Sequence, residues 1–533
     1  MAENDTRLQI IPLGGLGEIG KNMMVIRYQD SIIVIDAGLM FPEEELLGID
    51  IVIPDISYLL ENREKVKGII LTHGHEDHVG ALPYVLKELN VPIYGSRLTL
   101  GLVEAKLKEH HIGKTIMIPV RPRDILNIGP FEVEFIRVIH SIPDALAVAI
   151  HTPMGVILHT GDIKLDQTTV DGELVDYRKL AELGEKGVLV LMSDSTNADR
   201  PGYTQSERLV GDTFEELFRR CQGRIIITTF ASNVHRIQQV ITTAHRYGRK
   251  VAMVGRSLLN NVNIAKDLGY INIPPDCWIE MEEISRYAPH ELVIVTTGSQ
   301  GEPMSALTRM AMADHRWVAI QPGDTVIISA TPIPGNEKLV ARTVDHLFRQ
   351  GAEVIYERSA GVHVSGHASQ EELKILINLV RPRYLIPIHG EYRHLMRHAR
   401  IAESLGMPPS RIIVAENGQV IEVTKKKVFV ANKVTAGRIL VDGLGVGDVG
   451  NIVLRDRKQL SQDGIIIVVV TINKDSGALI AGPDIVSRGF VYVRESEQLI
   501  EESKEKVRDA LAICEQKNIK QWASIKSQVR DVL

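Results

Sequence analysis

The sequence contains few cysteines, and none of its apolar runs is long. Its three cysteines, Cys221, Cys277 and Cys514, stand far apart in a chain of 533 residues. They are too few for a disulfide framework or a thiolate zinc site, which indicates a reducing compartment such as the cytoplasm. No apolar run reaches the roughly 18 residues that a membrane-spanning helix needs. The first residues, MAENDTRLQI, lack the basic and then apolar layout of a signal peptide. We therefore expect a cytoplasmic protein with no membrane association.

The sequence also lacks a surplus of basic residues. Its 61 lysines and arginines stand against 67 acidic residues, which leaves a formal net charge of −6. A protein that coats nucleic acid indiscriminately often has a basic surplus, so this balance argues against one. It leaves room for a protein whose positive charge is gathered in one channel or carried by metal ions. No internal repeat is present, and the 44% of hydrophobic residues is typical of a globular chain of several domains.

The strand and helix patterns change twice along the chain. Over about the first 200 residues, short apolar strands alternate with turns and helices. Within them Phe131–His140, where apolar residues alternate with glutamates, predicts a half-buried strand. The following region alternates strands and helices as in parallel β-α-β units, for example over Arg224–Val254. The helix and strand patterns over Glu371–Ile388 then resemble the opening of the chain, which indicates that the first domain resumes there.

The last part of the chain predicts a small α/β unit. A glycine-rich stretch, Val441–Gly447, indicates a connector. It is followed by an apolar strand at Ile465–Ile472, a turn at Lys474–Gly477, a second strand near Phe490–Val493 and a helix from about Ser496. The apolar strand suits either the core of this unit or a subunit interface. The unit contains no catalytic motif.

The segment Thr72–His78 contains four potential metal ligands within six residues, namely His73, His75, Asp77 and His78. It directly follows a predicted strand, and the glycine between the first two histidines permits a tight turn. Imidazole and carboxylate ligands without thiolates suit Zn²⁺ or Mn²⁺. The alternative is a histidine-rich surface loop, against which the rest of the chain supplies further ligands.

Three further ligands stand where predicted strands end. His140 ends the strand that begins at Phe131, Asp162 follows the strand at Gly155–His159, and His389 follows a strand that ends at Ile388. Ligands at the ends of successive strands converge on one edge of a sheet. The seven ligands, five histidines and two aspartates, fit a pair of metal ions with Asp162 shared between them.

The order of these ligands resembles that of the metallo-β-lactamase fold superfamily, which implies an α/β fold, a four-layer αββα sandwich with a dinuclear metal centre. Three other segments, Ser193–Thr196, Thr297–Glu302 and His363–His367, resemble the markers of its β-CASP branch. Members of that branch act on nucleic acids and carry a second α/β domain inserted into the first. Such an insertion accounts for the long stretch of sequence between Asp162 and His389.

Within the β-CASP branch, the chain is similar to the bacterial ribonuclease J family over essentially its whole length. The similarity rests on the segments Leu13–Asn22, Phe230–Asn233, Pro332–Asn336 and Gly450–Asp456. The chain ends in a predicted helix at Leu533, where relatives usually continue, so the role of any further segment stays open. The implied domains are a metallo-β-lactamase domain in two parts (1–205 and 372–440), a β-CASP domain (206–371), a linker (441–449) and a small C-terminal α/β domain (450–533).

The resemblance also implies roles for residues beside the metals. Asp194 and His367 are the candidates for proton transfer, with no indication of which one donates; alternatively, Asp194 caps its own turn. Ser232 and Asn233 are either phosphate contacts at a helix N-terminus or plain helix caps. The implied RNA-gripping segment consists of His363, Val364, Ser365, Gly366 and His367.

The activity that the resemblance implies is hydrolysis of phosphodiester bonds in single-stranded RNA by a hydroxide that two Zn²⁺ ions, or Mn²⁺ ions, activate. It implies 5′-to-3′ exonuclease activity with preference for a 5′-monophosphate, endonuclease activity, and roles in mRNA decay and rRNA maturation. It also implies a homodimer or tetramer, with C-terminal dimerisation, and partners in an RNA decay complex. The alternatives are a catalytically weak RNA-binding scaffold and a metallo-β-lactamase-fold hydrolase of another substrate. The intact ligand set argues against the first, and the inserted domain argues against the second.

Two weaker motifs remain. Gly15–Gly20 matches the G-x-G-x-x-G dinucleotide motif, but the next residues predict a strand rather than a helix. Asp36 is better explained as a support for the metal ligands than as a ribose contact. Some members of the family hold a structural Ca²⁺ ion, which the resemblance assigns to Gly48, Asp50 and Asp442. Without the resemblance, both of these aspartates are solvated acidic residues.

Overall fold

The computed structural model describes residues 8–43, 45–302, 304–333, 335–424, 426–443, 445–473, 478–489, 497–517, 519 and 521–533. The chain divides into two compact units, one of Met1–Phe41 and Ile51–Ile439 and the other of Pro42–Asp50 and Leu440–Leu533. Across the part of the chain that is described, no helix is both long and apolar enough to cross a membrane.

The first part of the chain is rich in strands that belong to two different sheets. In chain order it forms β1 (Leu8–Gly14), β2 (Leu16–Gly17), β3 (Met23–Tyr28), β4 (Ser31–Ile35), β5 (Ile51–Pro54), α1 (Ser57–Glu61), β6 (Val66–Ile70), α2 (Glu76–Val79), α3 (Leu82–Glu88), β7 (Ile93–Gly95), α4 (Arg97–Glu109), β8 (Met117–Pro119), β9 (Ile125–Ile128), β10 (Phe131–Arg137), β11 (Leu146–Thr152), β12 (Gly155–His159), α5 (Tyr177–Lys186) and β13 (Val188–Asp194).

The middle of the chain alternates helices and strands. It forms α6 (Arg208–Arg220), β14 (Ile225–Thr228), α7 (Val234–Arg246), β15 (Lys250–Val254), α8 (Arg256–Asp267), β16 (Trp278–Ile279), β17 (Leu292–Thr296), α9 (Ala306–Ala311), β18 (Thr325–Ile328), α10 (Glu337–Arg349) and β19 (Glu353–Ile355).

The remaining elements complete the first unit and build the second. They are α11 (Gln370–Val380), β20 (Tyr384–Ile388), β21 (Gly390–Glu391), α12 (Tyr392–Ser404), β22 (Gln419–Val423), β23 (Val428–Lys433), β24 (Arg438–Asp442), β25 (Gly445–Val446), α13 (Asn451–Asp463), β26 (Ile465–Ile472), β27 (Leu479–Arg488), α14 (Glu497–Gln516) and α15 (Trp522–Val532).

Two sheets face each other in the first unit. One has the strand order β23-β22-β1-β3-β4-β6-β7-β8 and the other β20-β13-β12-β11-β10-β9. Buried side chains such as Ile10, Ile26, Val133 and Ile386 fill the space between them. Helices α5, α11 and α12 pack on the outer face of the second sheet, and α4 contacts β7 and β8 of the first. This arrangement is the predicted αββα sandwich.

The middle of the chain forms a separate parallel sheet in the order β16-β15-β17-β14-β18-β19. Apolar cores cover both of its faces. The chain enters this domain after β13 and returns through β20, which pairs in parallel with β13 so that Asp194 lies opposite Ile388. The prediction of an inserted parallel α/β domain is therefore confirmed, and the return strand places His389 directly beside Asp194.

The second unit contains an antiparallel ribbon of β26 and β27. One face of the ribbon packs on α14 and α15 through side chains such as Val468, Leu511 and Ile525. The other face, which we call the ribbon face, carries the exposed apolar side chains of Ile465, Ile467, Val469 and Val486. The exposed Arg488 and Asp484 lie opposite Ile465 and Val469 on the same face.

Two features of these elements differ from the sequence analysis. Glu134 in β10 is 3% exposed, because both faces of its sheet are covered, and it forms ion pairs with Lys179 and His151. Glu132 in the same strand is exposed, so the alternation of glutamates marks a solvent-facing position only at the start of β10. The strand that pairs with β26 is β27, which the sequence analysis missed. The predicted turn at 474–477 and the predicted strand at 490–493 lie outside the described residues.

Candidate metal centre

The structure brings all seven predicted metal ligands together at one edge of the sandwich. Four of them lie on the loop after β6 and at the start of α2, and the other three follow β10, β12 and β20. Because these strand ends meet, ligands that are far apart in sequence become neighbours. The ligands are His73, His75, Asp77, His78, His140, Asp162 and His389.

The first group of ligands consists of His73, His75, His140 and Asp162. His75 Nδ1 lies 3.1 Å from His73 Nε2 and 3.0 Å from His140 Nε2. Asp162 Oδ2 lies 3.6 Å from His73 Nε2 and 3.5 Å from His140 Nε2. Three imidazole nitrogens and one carboxylate oxygen thus converge, which is a donor set typical of zinc.

The second group consists of Asp77, His78, His389 and the same Asp162. Asp162 Oδ1 lies 3.2 Å from His78 Nε2, and its Oδ2 lies 3.3 Å from His389 Nε2. Asp77 Oδ2 is 3.6 Å from His78 Nε2 and 3.4 Å from His389 Nε2. Asp162 therefore belongs to both groups, as the sequence analysis expected of a shared ligand.

Hydrogen bonds behind the ligands orient the imidazole rings. His78 Nδ1 lies 2.7 Å from Asp36 Oδ2, and the carboxylate of Asp36 also accepts from the backbone and the hydroxyl of Thr72. His140 Nδ1 lies 2.8 Å from the carbonyl oxygen of Gly366. Since both acceptors require a proton on Nδ1, the Nε2 lone pairs of these two rings face the ligand groups.

The electrostatics of the two groups differ. Burial lowers the pKa of His75 to about 4 and lowers the pKa values of His73 and His140 well below their usual range. These rings are neutral at pH 7, which is the form that binds a cation. Burial alone would also lower the pKa of His389, but Asp162 and Asp77 outweigh it and raise this pKa to about 10.

Several buried atoms of the cluster have no hydrogen-bond partner among the described residues. They include both ring nitrogens of His389 and Oδ1 of Asp162, although these side chains are only 3% and 2% exposed. A buried polar atom without a partner costs free energy. The nitrogen and oxygen donors, their convergence and these unpartnered atoms together fit two divalent cations.

Asp194 and His367 form a pair beside the ligand groups. His367 Nδ1 lies 2.7 Å from Asp194 Oδ2, and Asp194 Oδ1 accepts from the backbone and hydroxyl of Thr196. Asp194 therefore caps its own turn and also contacts His367. Burial opposes charge on both groups, but each stabilises the charge of the other, so the pKa of Asp194 is lowered and that of His367 is raised.

The segment 363–367, which we call the His363 loop, approaches the metal ligands closely. A Cβ atom at Gly366 would lie only 2.5 Å from His140 Nδ1, so this position requires glycine. On the sandwich side, Asn197 donates to Ser365 Oγ and to the carbonyl of His367. The loop is therefore part of the same site as the metal ligands.

The two residues predicted at the start of α7 are placed differently from each other. Asn233 is the N-cap of α7, and its side chain accepts from the backbone N–H of Arg236. Ser232 lies in the preceding turn and is half-buried. The capping interpretation thus describes Asn233, and phosphate contact by either residue stays a prediction.

Sequence reasoning missed several residues that support the site. Asn197 and Thr204 hold the carbonyl of His367, at 3.0 and 2.6 Å, and Ser195 contacts the buried ring of His398 at 2.9 Å. Arg236, which is fully buried, contacts His363. Ser195 lies within the segment Ser193–Thr196 and Asn197 directly follows it, so their positions beside Asp194 offered a signal, whereas Thr204 and Arg236 belong to no cluster in the sequence.

The three residues assigned to a structural Ca²⁺ ion lie in the second unit. The guanidinium of Arg457 donates to Asp442 Oδ2 at 2.5 Å and to the carbonyl of Leu47 at 3.0 Å. A Cβ atom at Gly48 would lie 2.7 Å from Arg457 Nη1, and Asp50 accepts from a backbone N–H. Because a cationic side chain already holds Asp442, the described residues do not fit a calcium site.

Four models of protein families match successive parts of the chain. They are described as metallo-beta-lactamase superfamily (16–213), ribonuclease J beta-CASP domain (222–347), Zn-dependent metallo-hydrolase RNA specificity domain (351–414) and ribonuclease J C-terminal domain (452–533). Ribonuclease J2 of Bacillus subtilis (strain 168) is 49% identical to the chain over 532 residues, which cover 100% of this chain and 96% of that protein. The chain belongs to the ribonuclease J family.

Comparisons with other proteins are consistent with membership of the ribonuclease J family. Ribonuclease J 2 of Staphylococcus aureus (strain MRSA252) is 46% identical over 98% of this chain and 94% of that protein. A solved structure of a protein of unknown function from Enterococcus faecalis V583 superposes with a TM-score of 0.55, at 18% identity, and covers 78% of this chain and 100% of that one. At that identity the likeness concerns the fold alone. The exact domain boundaries of the sequence analysis stay a prediction.

Proposed function

We propose that the chain is a metal-dependent ribonuclease that hydrolyses phosphodiester bonds in single-stranded RNA. The observation that carries this proposal is that Asp162 belongs to both ligand groups, at 3.2 to 3.6 Å from four imidazole nitrogens, beside the Asp194–His367 pair. Two Zn²⁺ ions, or Mn²⁺ ions, would supply an activated water at neutral pH and offset charge on the phosphate oxygens.

The proposed proton donor is His367. Its Nδ1 is engaged with Asp194, so Nε2 is the nitrogen available to protonate the leaving 3′ oxygen. Asp194 accepts hydrogen bonds from Thr196 and a backbone N–H of Ile163, which stabilise its anionic form. Asp194 then orients the imidazole and stabilises its charged form, in the manner of a carboxylate behind a catalytic histidine.

The proposed RNA-binding groups lie in the His363 loop and at the start of α7. His363 and the backbone of Val364, Ser365 and Gly366 are suited to phosphate, because imidazole and backbone N–H groups donate to its oxygens. Ser232 in the turn before α7 provides a hydroxyl close to a helix N-terminus. These groups bind the backbone of RNA without reading its bases, so the substrate class is single-stranded RNA of varied sequence.

The finer proposals follow from family membership. We expect 5′-to-3′ exonuclease cutting with preference for a 5′-monophosphate, endonuclease cutting as well, and roles in mRNA decay and rRNA maturation within an RNA decay complex. Dimerisation through the ribbon face is supported by its exposed Ile465, Ile467 and Val469. Contiguous apolar surface of this kind marks interfaces between proteins.

The test compares RNAs with 5′-monophosphate and 5′-triphosphate ends, incubated with and without a chelator and resolved by length. Wild type should shorten the monophosphate RNA fastest, and the chelator should stop it. Asp77→Asn should lower kcat by more than the roughly 10–100-fold that loss of an outer-shell partner typically costs, with RNA affinity retained. Glu76→Gln is the matched control, because the neighbouring Glu76 forms an ion pair with Lys106 at the surface.

The alternative roles give different results. An RNA-binding scaffold would bind RNA with wild-type and Asp77→Asn chains alike and cut with neither. A hydrolase of another substrate would show neither RNA binding nor cutting. Either result would overturn the proposal.

A further inference from the structure

Arg236 is a buried cation beneath the proposed RNA-binding surface. It lies in the first turns of α7, and its side chain is 0% exposed. Its guanidinium donates to both carboxylate oxygens of Glu207, at 2.8 and 2.7 Å, and to the carbonyl of Ser329 at 2.7 Å. Nη1 also lies 2.7 Å from Nδ1 of His363. All the N–H donors of this guanidinium therefore point to groups inside the protein.

The contact with His363 has a defined direction. A guanidinium carries only donors and stays protonated in proteins, so Nδ1 of His363 must accept the hydrogen bond. A neutral imidazole that accepts at Nδ1 carries its proton on Nε2. A proton on Nδ1 would instead set two N–H groups against each other at 2.7 Å.

We infer that Arg236 is a positioning residue, which holds His363 as the Nε2–H tautomer so that this N–H donates to a phosphate oxygen of RNA. The inference rests on the proposed function of the site. Arg236 itself does not touch the substrate in this proposal, since it is completely buried. A histidine free to choose its tautomer would present the donor for only part of the time.

Other contacts of Arg236 fix the backbone of the His363 loop. Nη2 lies 3.4 Å from the carbonyl of Val364, and Ser329, which Arg236 also contacts, donates through its hydroxyl to the carbonyl of Val362. The inserted domain thus holds the first half of the loop, whereas Asn197 and Thr204 of the sandwich hold its second half. The loop is therefore positioned from both domains of the first unit.

Glu207, immediately before α6, neutralises Arg236. It is 5% exposed and also accepts from the side chain of Gln239. Removal of Arg236 alone would leave a buried carboxylate without a cation, which is strongly destabilising. The informative variant therefore removes both charges, as Glu207→Gln with Arg236→Gln.

The test is a double-mutant cycle with His363→Ala. The Kd for a 5′-monophosphorylated single-stranded RNA is measured by fluorescence anisotropy in the presence of a chelator, and kcat and KM are measured with metal. In the wild-type background, the Glu207→Gln, Arg236→Gln pair should raise Kd and KM by about 10-fold, the worth of one hydrogen bond to a charged group. Its kcat should change by less than about 3-fold, because the pair lies outside the reacting groups.

In the His363→Ala background, the same pair of substitutions should raise Kd less than in the wild-type background, because only the contacts of Arg236 with the backbone of the His363 loop remain to be lost. Equal weakening in both backgrounds, or none in the wild-type background, would overturn the inference. Glu216→Gln with Arg220→Gln is the matched control: it removes an exposed ion pair of α6 with the same change of charge, so RNA binding should stay close to wild type. Should the paired variant not fold, Arg236→Lys replaces it, since one ammonium cannot serve all the acceptors of the guanidinium.

The outcomes separate this inference from the proposed function. A wild-type chain that neither binds nor cuts RNA would overturn the proposed function and the inference with it. A wild-type chain that binds RNA, with a folded Arg236 variant that binds it equally well, would overturn the positioning role alone.

Discussion

At the scale of single residues, the carboxylate of Asp36 decides how one metal ligand is presented. Asp36 is 1% exposed, and its Oδ2 lies 2.7 Å from His78 Nδ1 and 2.8 Å from the hydroxyl of Thr72. Its backbone adopts a positive φ of 62°, a strained conformation for an aspartate that the surrounding contacts maintain. Such a partner fixes the tautomer of the ligand and increases its basicity.

We expect Asp36→Asn to weaken zinc binding by about 10–100-fold, the typical cost of losing an outer-shell partner. The measurement is competition with a chelating dye at constant pH, combined with a thermal melt to verify folding. Asp30→Asn is a suitable control, because Asp30 is an exposed residue of a nearby hairpin that pairs with Lys65. Zinc affinity of the folded Asp36→Asn chain equal to that of wild type would contradict this role.

At the scale of elements, helix α13 contacts the loop at Leu47–Asp50 through the cationic side chain of Arg457. Arg457 of α13 contacts Asp442 and the carbonyl of Leu47, and both side chains of this ion pair are about one-third exposed. Arg457 thus bridges the helix and the loop at the place to which the sequence analysis assigned a Ca²⁺ ion. The helix and the loop thus stay connected without a metal.

The melting temperature of wild type is therefore expected to be insensitive to EGTA and to millimolar calcium. Arg457→Ala should lower it by a few degrees, which corresponds to about 1 kcal/mol for a partly exposed ion pair in a unit of this size. Calcium should then restore part of the loss, because Asp442 loses its competing cation. Differential scanning fluorimetry measures all three effects, and stabilisation of wild type by calcium would show the assignment of Arg457 to be wrong.

At the scale of the whole molecule, the candidate metal centre and the ribbon face belong to different units. All the ligand groups found in the described residues lie in the first unit. The second unit contributes the exposed ribbon face. The ribbon is stabilised on one face by α14 and α15, and the row of exposed apolar side chains on its other face favours a partner there.

Removal of residues 450–533 should weaken both assembly and RNA cleavage, since the ribbon face is lost. Ile467→Lys tests the same face without a deletion and should shift the protein towards monomer because it places a charge in the apolar patch. Light scattering coupled to size exclusion reports the mass, and cleavage of a monophosphorylated RNA reports activity. A truncated chain that stays dimeric and fully active would refute the proposed role.

Much of the site was predictable because its residues are of distinctive types. A single histidine or aspartate at a strand end does not mark a metal site, but Thr72–His78, His140, Asp162 and His389 together supply seven such ligands, so the set was predictable. Strands β12 and β26 begin and end at the predicted residues, and β20 ends at the predicted Ile388, because runs of apolar residues bounded by turns mark them. Local patterns were sufficient in both cases.

The predictions failed where distant parts of the chain decide the environment. Glu134 looked solvent-facing in β10, but the helices on the outer face of its sheet bury it. The strand β27 was missed, since its Gly482 and Pro483 interrupt the apolar pattern although β26 pairs with it. The sequence analysis did not single out Arg236. Its burial and its contacts with Glu207 and His363 arise only in the folded structure.

The amino-acid order alone determined which side chains can bind cations and which segments become strands, because these properties depend on residue type and on near neighbours. The meeting of Asp194 with His389, the sharing of Asp162 and the tautomer of His363 were decided only when β13 paired with β20 and the inserted domain closed over the loop. Those contacts join residues separated by up to about 200 positions, and no local sequence pattern predicts that such distant residues come together.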